Sequence, residues 1–219
     1  LLRLEAGADV VTGRDHVVDE RLHVHGGGQE GVDVAVIGPA AGVDEATVSN
    51  LFALARTGAA LVVDADALTV FRHDVSELFS VLDRDDVLTP HQGEFERLFP
   101  GLLRNSPDRT AATLEASKRA GSIVLLKGND TVIAAPDGRC VVNRSGSVWL
   151  ATAGSGDVLA GLIAGLIAQG MDSFDAACAA VPGETAGPYP ADGTSALNTR
   201  CAFTVRSEMK SCSATSRLL

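Results

Sequence analysis

The sequence predicts an α/β protein, a three-layer α/β/α domain with a mostly parallel central sheet. Three observations carry this. Asp33-Val-Ala-Val-Ile37, Ala60-Leu-Val-Val-Asp64, Asp86-Val-Leu-Thr89 and Ser122-Ile-Val-Leu-Leu126 are short, nearly unbroken apolar runs, the type buried on both faces of a parallel sheet. Stretches with helical spacing alternate with them, the order of strand–helix units. A glycine-rich turn, Thr152-Ala-Gly-Ser-Gly-Asp157, then opens a further apolar helical run through Val158, Leu159, Leu162, Ile163, Leu166 and Ile167.

Composition narrows the class. With 46% hydrophobic and 21% charged residues, the chain of 219 can bury a full core as one large domain. Aromatics are only 4%, so Val, Leu, Ile and Ala must fill that core. A net charge of −10 argues against a general nucleic-acid binder. No apolar run approaches the length of a membrane span, and the first residues lack the layout of a signal peptide, so no membrane partner is expected. Cys140, Cys178, Cys201 and Cys212 show no CxxC spacing, which suggests a reducing cytoplasm rather than a disulfide frame.

In chain order, Leu4 to Val11 reads as the end of a helix, a turn at Gly7 and a short strand. The chain opens on Leu1 without a methionine, and we expect sequence before it. Residues 13–31 are polar; His16, His23 and His25 lack a completing ligand set, and a solvated loop is the better reading. The strand ending at Ile37 runs into Gly38-Pro-Ala-Ala-Gly42 and a helix through Leu51 and Leu54. Ligands bind at such carboxyl ends of strands in open α/β sheets. The next strand ends in Asp64-Ala-Asp66; Asp66 is expected to cap the helix that follows, although two acids there could also orient a substrate or hold Mg²⁺ through water.

The third strand breaks at Pro90, and His91 falls in a strand-to-helix loop on the same edge, where a histidine has a better claim to function than elsewhere. Residues 108–121 form an amphipathic helix ending at Gly121. The fourth strand leads to Lys127-Gly-Asn-Asp-Thr131, where Lys127 is either a surface lysine or a phosphate contact. Thr131–Ala134 and Arg139–Asn143 read as a hairpin around Pro136-Asp-Gly138.

The turn at Gly154-Ser-Gly-Asp157 is a ready anion site, because free N–H groups and the helix dipole converge there. Asp157 is either a cap or a base aimed beside a bound phosphate; Ser155 or Asp157 as an ordinary N-cap is the plainer alternative. A helix at Ser173 to Val181 follows. Residues 1–182 are thus read as one domain, incomplete at its N-terminal side, and 183–219 as an atypical, poorly packed or disordered segment.

Together, Val36-Ile-Gly-Pro39, Val63-Asp-Ala-Asp-Ala-Leu68, Leu88-Thr-Pro-His-Gln-Gly-Glu-Phe95, Val124-Leu-Leu-Lys-Gly128 with Thr131-Val-Ile133, and Ala151-Thr-Ala-Gly-Ser-Gly-Asp-Val-Leu-Ala-Gly161 resemble the ADP/ATP-dependent NAD(P)H-hydrate dehydratase family of the ribokinase-like superfamily. Each piece is short; their order over roughly 5–182 is what makes the resemblance specific. The resemblance implies phosphoryl transfer from ADP or ATP, with Mg²⁺, to the C6 hydroxyl of hydrated NADH or NADPH, after which phosphate leaves. Asp157 would activate that hydroxyl, and the amides of Gly154, Ser155 and Gly156 would neutralise charge on the transferred group. Lys127, Gly128, Asn129, Asp130 and Thr131 match the adenine-nucleotide site together with Gly156. Gly38, Gly42, His91 and Asp157 match the substrate side, and Glu94 matches an acid that helps hold Mg²⁺ through water. A homo-oligomer is also implied.

The chain departs from the family pattern in three places. The family's opening glycine-rich strand-loop is absent, and the usual His-Gly and closing helix are lost after Pro182. Ala40 and Ala41 replace the middle pair of Gly-Pro-Gly-Leu-Gly, which implies a positive φ at Ala40. Two other readings stand beside the dehydratase: a small-molecule kinase of the same superfamily, such as a hydroxymethylpyrimidine or hydroxyethylthiazole kinase, and an inactive adenine-nucleotide-binding remnant.

Overall fold

The computed structural model describes residues 3–4, 8–11, 34–144, 154–181 and 185–186, with side chains described for 34–144 and 154–181. The described strands make one sheet of nine whose spatial order is the chain order. They are β1 (Arg3–Leu4), β2 (Ala8–Val11), β3 (Val34–Ile37), β4 (Ala60–Val63), β5 (Val87–Leu88), β6 (Ile123–Leu126), β7 (Thr131–Ala134), β8 (Cys140–Asn143) and β9 (Thr185–Ala186). Strands β2 to β6 are parallel to one another, while β1, β7, β8 and β9 join antiparallel.

This order dictates the layers. Right-handed crossovers that always step to the next strand on the same side place every crossover helix on one face. On that face lie α1 (Glu45–Ala55), α2 (Asp66–Thr69), α3 (Val75–Phe79), α4 (Gln92–Leu98), α5 (Leu102–Asn105) and α6 (Arg109–Ala120). The opposite face is covered by α7 (Ser155–Ile167) and α8 (Ser173–Ala180). Alternate strand residues divide accordingly, as the pleat requires. Ala35, Ile37, Leu61, Val63, Leu88, Val124 and Leu126 pack with Leu51, Leu54, Phe95 and Ala116. Val34, Val36, Val62, Val87, Ile123 and Leu125 pack with Ala160, Ile163, Phe174 and Ala177. The expected three layers are thus present, filled mainly by small and branched aliphatic residues.

Local chemistry sets the helix starts. Asp44, Asp74, Asp108 and Asp172 are N-caps whose carboxylates accept from first-turn amides, and Gly121 in the left-handed conformation ends α6. The hairpin forms as expected, with Ala134 opposite Cys140 and Gly138 N donating to Ala135 O at 3.0 Å.

The structure corrects the reading at several points. Arg3–Leu4 is a strand paired with β2, not the end of a helix. So short a stretch cannot nucleate a helix, and the open sheet edge offers it partners. Helices α3 and α5 escaped the sequence because a turn or so of helix is shorter than any periodic window. Val158 and Leu162 are 72% and 47% exposed, because the apolar run of α7 wraps beyond the face that meets the sheet. His16, His23 and His25 lie outside the described residues, as does the expectation for 183–219 apart from the short strand β9.

Candidate active site

The carboxyl ends of β3, β4, β5 and β6 are stitched into one edge. Asp64 N donates to Ile37 O (3.0 Å), Thr89 N to Val63 O (3.1 Å) and Lys127 N to Pro90 O (2.9 Å). His91 and Lys127 form a further parallel bridge. Gly38, Asp64, His91 and Lys127 therefore emerge side by side.

After β3 the chain passes hard against β4. A Cβ at Gly38, whose φ is +131°, would lie 1.6 Å from the Asp64 carbonyl oxygen, so only glycine fits. Ala41 N donates to Gly38 O at 3.1 Å, and Ala40 has φ 55°, the positive value that its replacement of glycine implied. Thr47 Oγ1 ties the turn to α1 by donating to Gly42 O at 2.7 Å.

The two acids after β4 part company. Asp66 does not cap α2, whose N-cap is Ala65 with no side-chain bond. Its Oδ2 instead accepts from Gly42 N at 2.9 Å. A charge-assisted bond to a free amide across the edge outcompetes capping of a one-turn helix. Asp64, 1% exposed, accepts from Lys127 Nζ at 2.7 Å. A carboxylate so buried needs such a partner. Lys127 is thus neither a free surface lysine nor a free phosphate contact in this state. Its side chain is 23% exposed and engaged. The first turn of α7 rests on the pair: a Cβ on Gly156 would be 3.4 Å from both Asp64 Oδ2 and Lys127 Nζ.

His91 is the N-cap of α4. Its Nδ1 accepts from Gly93 N (2.9 Å) and Glu94 N (3.3 Å), while Glu94 Oε2 accepts from His91 N at 2.8 Å, a reciprocal capping box. Glu94 Oε1 lies 3.4 Å from His91 Nε2. The ring is half-exposed, so its outer edge remains available at the end of β5. Glu94 is buried and already bonded, and no three His, Cys, Asp or Glu side chains gather as a metal set among the described residues. Mg²⁺ usually takes one or two carboxylates plus substrate phosphates. Glu94 is the carboxylate at this edge that would face an ion carried by a bound nucleotide.

In the loop after β6, Gly128, Asn129 and Asp130 are exposed, and Thr131 Oγ1 donates to Gly128 O at 3.2 Å. Sequence reasoning missed Arg109 here. Its Nη2 donates to Lys127 O at 2.7 Å, and the guanidinium packs on Gly128, where a Cβ would lie 2.6 Å from Nη2. Burial pulls the Arg109 pKa down, partly offset by Asp130, and its Nε has no partner among the described residues. One signal was available: a cation in the first turn of a helix opposes the dipole, which calls for a local reason.

The α7 N-terminus completes the edge. Gly154 is the N-cap with φ 86° and no side-chain cap bond, so neither Ser155 nor Asp157 caps the helix. Val158 N makes an early intrahelical bond, to Gly154 O at 3.2 Å. The amides before it have no intrahelical acceptor. The Asp157 side chain stands exposed in that first turn, with no hydrogen bond or ion pair to another described residue. Thr152 and Ala153 lie outside the described residues.

A sheet with a parallel centre, antiparallel flanks and a glycine-opened helix laid on its carboxyl edge is the ribokinase-like class. A ribokinase-like superfamily protein of Enterococcus faecalis superposes with a TM-score of 0.55 at 29% identity, over 67% of this chain and 52% of that one. The ADP/ATP-dependent NAD(P)H-hydrate dehydratase of Bacillus subtilis, co-crystallised with ATP/Mg²⁺, gives 0.57 at 29%, over 69% and 53%. The chain belongs to the NAD(P)H-hydrate dehydratase family, whose family model matches residues 15–189. It is 44% identical to the bifunctional NAD(P)H-hydrate repair enzyme Nnr of Mycobacterium tuberculosis over 149 residues, 67% of this chain and 30% of that protein. It is 39% identical to the ADP-dependent (S)-NAD(P)H-hydrate dehydratase of Neisseria meningitidis over 155 residues, 69% of this chain and 52% of that protein. The chain thus spans about half or less of the length of these two relatives.

Proposed function

We propose that this chain dehydrates the hydrated forms of NADH and NADPH at the expense of ADP or ATP, restoring NAD(P)H. The observation that carries the reading is the exposed Asp157 in the first turn of α7, beside unbonded amides and above the Asp64–Lys127 pair. Family membership supports it.

In this reading the nucleotide lies along Lys127, Gly128, Asn129, Asp130 and Thr131, with its terminal phosphoryl at Gly154, Ser155 and Gly156. The hydrate lies against Gly38, Gly42 and His91. Asp157 takes the proton of the C6 hydroxyl as its oxygen attacks the phosphorus, and the bond to the leaving AMP or ADP breaks. The helix amides hold the charge that develops on the phosphoryl oxygens. Phosphate then leaves C6 with the ring electrons closing the double bond and a ring proton lost to solvent. Mg²⁺ bound to the nucleotide would offset phosphate charge near Glu94.

The reading also includes a homo-oligomer, tested by light scattering, and a reducing cytoplasm, consistent with Cys140 and Cys178 being buried and outside any disulfide. The central test follows recovery of NADH absorbance from purified hydrate with ADP or ATP. Nucleotide-dependent recovery supports the reading. Binding of nucleotide without recovery favours the remnant, and phosphorylation of a thiazole or pyrimidine alcohol favours the kinase.

A further inference from the structure

Asp64 and Asp66 sit two positions apart on the same bend yet reach in different directions. From the end of β4, Asp66 reaches to the turn after the neighbouring β3 and holds Gly42 N at 2.9 Å. Asp64 reaches past β5 to the end of β6 and holds Lys127 Nζ at 2.7 Å. Ala65 between them takes φ 48° and ψ −114°, a conformation outside the regions open to a residue with a Cβ. Such strain persists only where the surroundings over-determine it. Gly38 adds to the constraint, since its own path runs against the Asp64 carbonyl.

The geometry points to Asp64 and Asp66 as positioning residues, a two-armed brace that sets the turn on the substrate side and the lysine on the nucleotide side at a fixed spacing under α7; this rests on the dehydratase reading. Packing alone does not explain the brace. A buried ion pair contributes little to stability relative to an apolar pair of similar volume. Gly42 N lies at the half-exposed edge, where water would satisfy it equally well. What the two carboxylates provide that water and apolar groups do not is a fixed place for each partner. Asp64 also holds Lys127 back. Freed from its counter-charge, Lys127 would bind ground-state phosphate as readily as the transition state, which strengthens binding without speeding reaction.

The brace separates kinetic constants in a way that loss of fold does not. Asp66→Ala removes the acceptor of Gly42, and the KM for the hydrate is expected to rise about tenfold, the scale of one charged hydrogen bond, with ADP affinity unchanged. Asp66→Asn keeps an acceptor oxygen and should restore KM to within about threefold of the parent. Asp64→Asn should lower kcat at least about tenfold while ADP, measured by titration calorimetry, binds no more weakly than to the parent. Equal losses for hydrate and ADP in Asp66→Ala, an unchanged KM there, failure of Asp66→Asn to rescue, or an unchanged kcat in Asp64→Asn would each overturn the brace. Hydrogen exchange at the Gly42 amide keeps this apart from the dehydratase reading. If exchange quickens in Asp66→Ala and recovers in Asp66→Asn while the parent turns over no hydrate, the dehydratase reading fails and the Asp66 contact stands only as fold geometry, which overturns its role in positioning substrate.

Discussion

Lys127 and Asp64, 63 positions apart in the chain, meet at 2.7 Å directly beneath the first turn of α7. Lys127→Met strands a carboxylate whose side chain is 2% exposed, and should destabilise the fold by about 3 kcal/mol. Adding Asp64→Asn removes the stranded charge and should recover most of that loss. Urea unfolding of the two single variants and the double variant measures it; additive losses would show that the pair does not act as a unit.

Asp157→Asn is expected to abolish dehydration and leave nucleotide binding largely intact. Asn is nearly isosteric but cannot take a proton as a carboxylate does, a loss of about 10²–10⁴-fold. Because Asp157 makes no cap bond, little change in melting temperature is expected. A variant running within about threefold of its parent would remove the base assignment.

His91 separates capping from binding. His91→Ala loses acceptance from Gly93 N and Glu94 N, a cap contributing about 1 kcal/mol. His91→Asn can restore the cap without the ring. Both variants should bind hydrate more weakly than the parent by a similar factor and hold ADP unchanged, read by calorimetry. Recovery of hydrate affinity in the Asn variant would make the histidine a cap and nothing more.

Ala40 holds a φ of 55°, where a Cβ costs about 1 kcal/mol or more. Ala40→Gly relieves that strain and loses some unfolded-chain restriction, so a net gain of about 0.5 kcal/mol is expected by urea unfolding. A loss of stability would mean that the surrounding turn supports the alanine.

At the other edge of the sheet, Asp86 is 3% exposed and accepts from Leu61 N and Asp83 N, each at 2.7 Å. Burial pushes its carboxyl from 3.8 up to about 7; the two amide bonds pull it down less, and Asp83 and Asp85 add to the rise. The folded chain therefore binds this proton more tightly than the unfolded one. Its contribution is fully present below about pH 4 and is lost as pH climbs through about 7, on the order of 4 kcal/mol. Unfolding free energy measured across that window should fall more steeply for the parent than for Asp86→Asn. Parallel curves would contradict the assignment.

The parallel strands were legible because both their faces are buried, which leaves unbroken runs such as Leu61-Val-Val63. The loop at His91 was legible because Pro90 and Gly93 punctuate it. The partners of Asp64 and Asp66 were not, since no local pattern encodes a lysine 63 positions away or an amide 24 positions back. The reading of Asp66 as a cap failed for the same reason: capping is local, and the competing amide belongs to another strand's turn. Arg109 was hidden likewise, because its role depends on Gly128, which only the fold brings near.

Because the strands are laid down in order, α7 has two duties that cannot be separated. The helix that presents Asp157 also seals Val36 and Val62 from water through Ala160 and Ile163. A mutation that unseats this helix would strip the sheet of cover and remove the proposed chemistry in one event, so inactive variants from this region are expected in the aggregated fraction rather than as well-folded, idle protein.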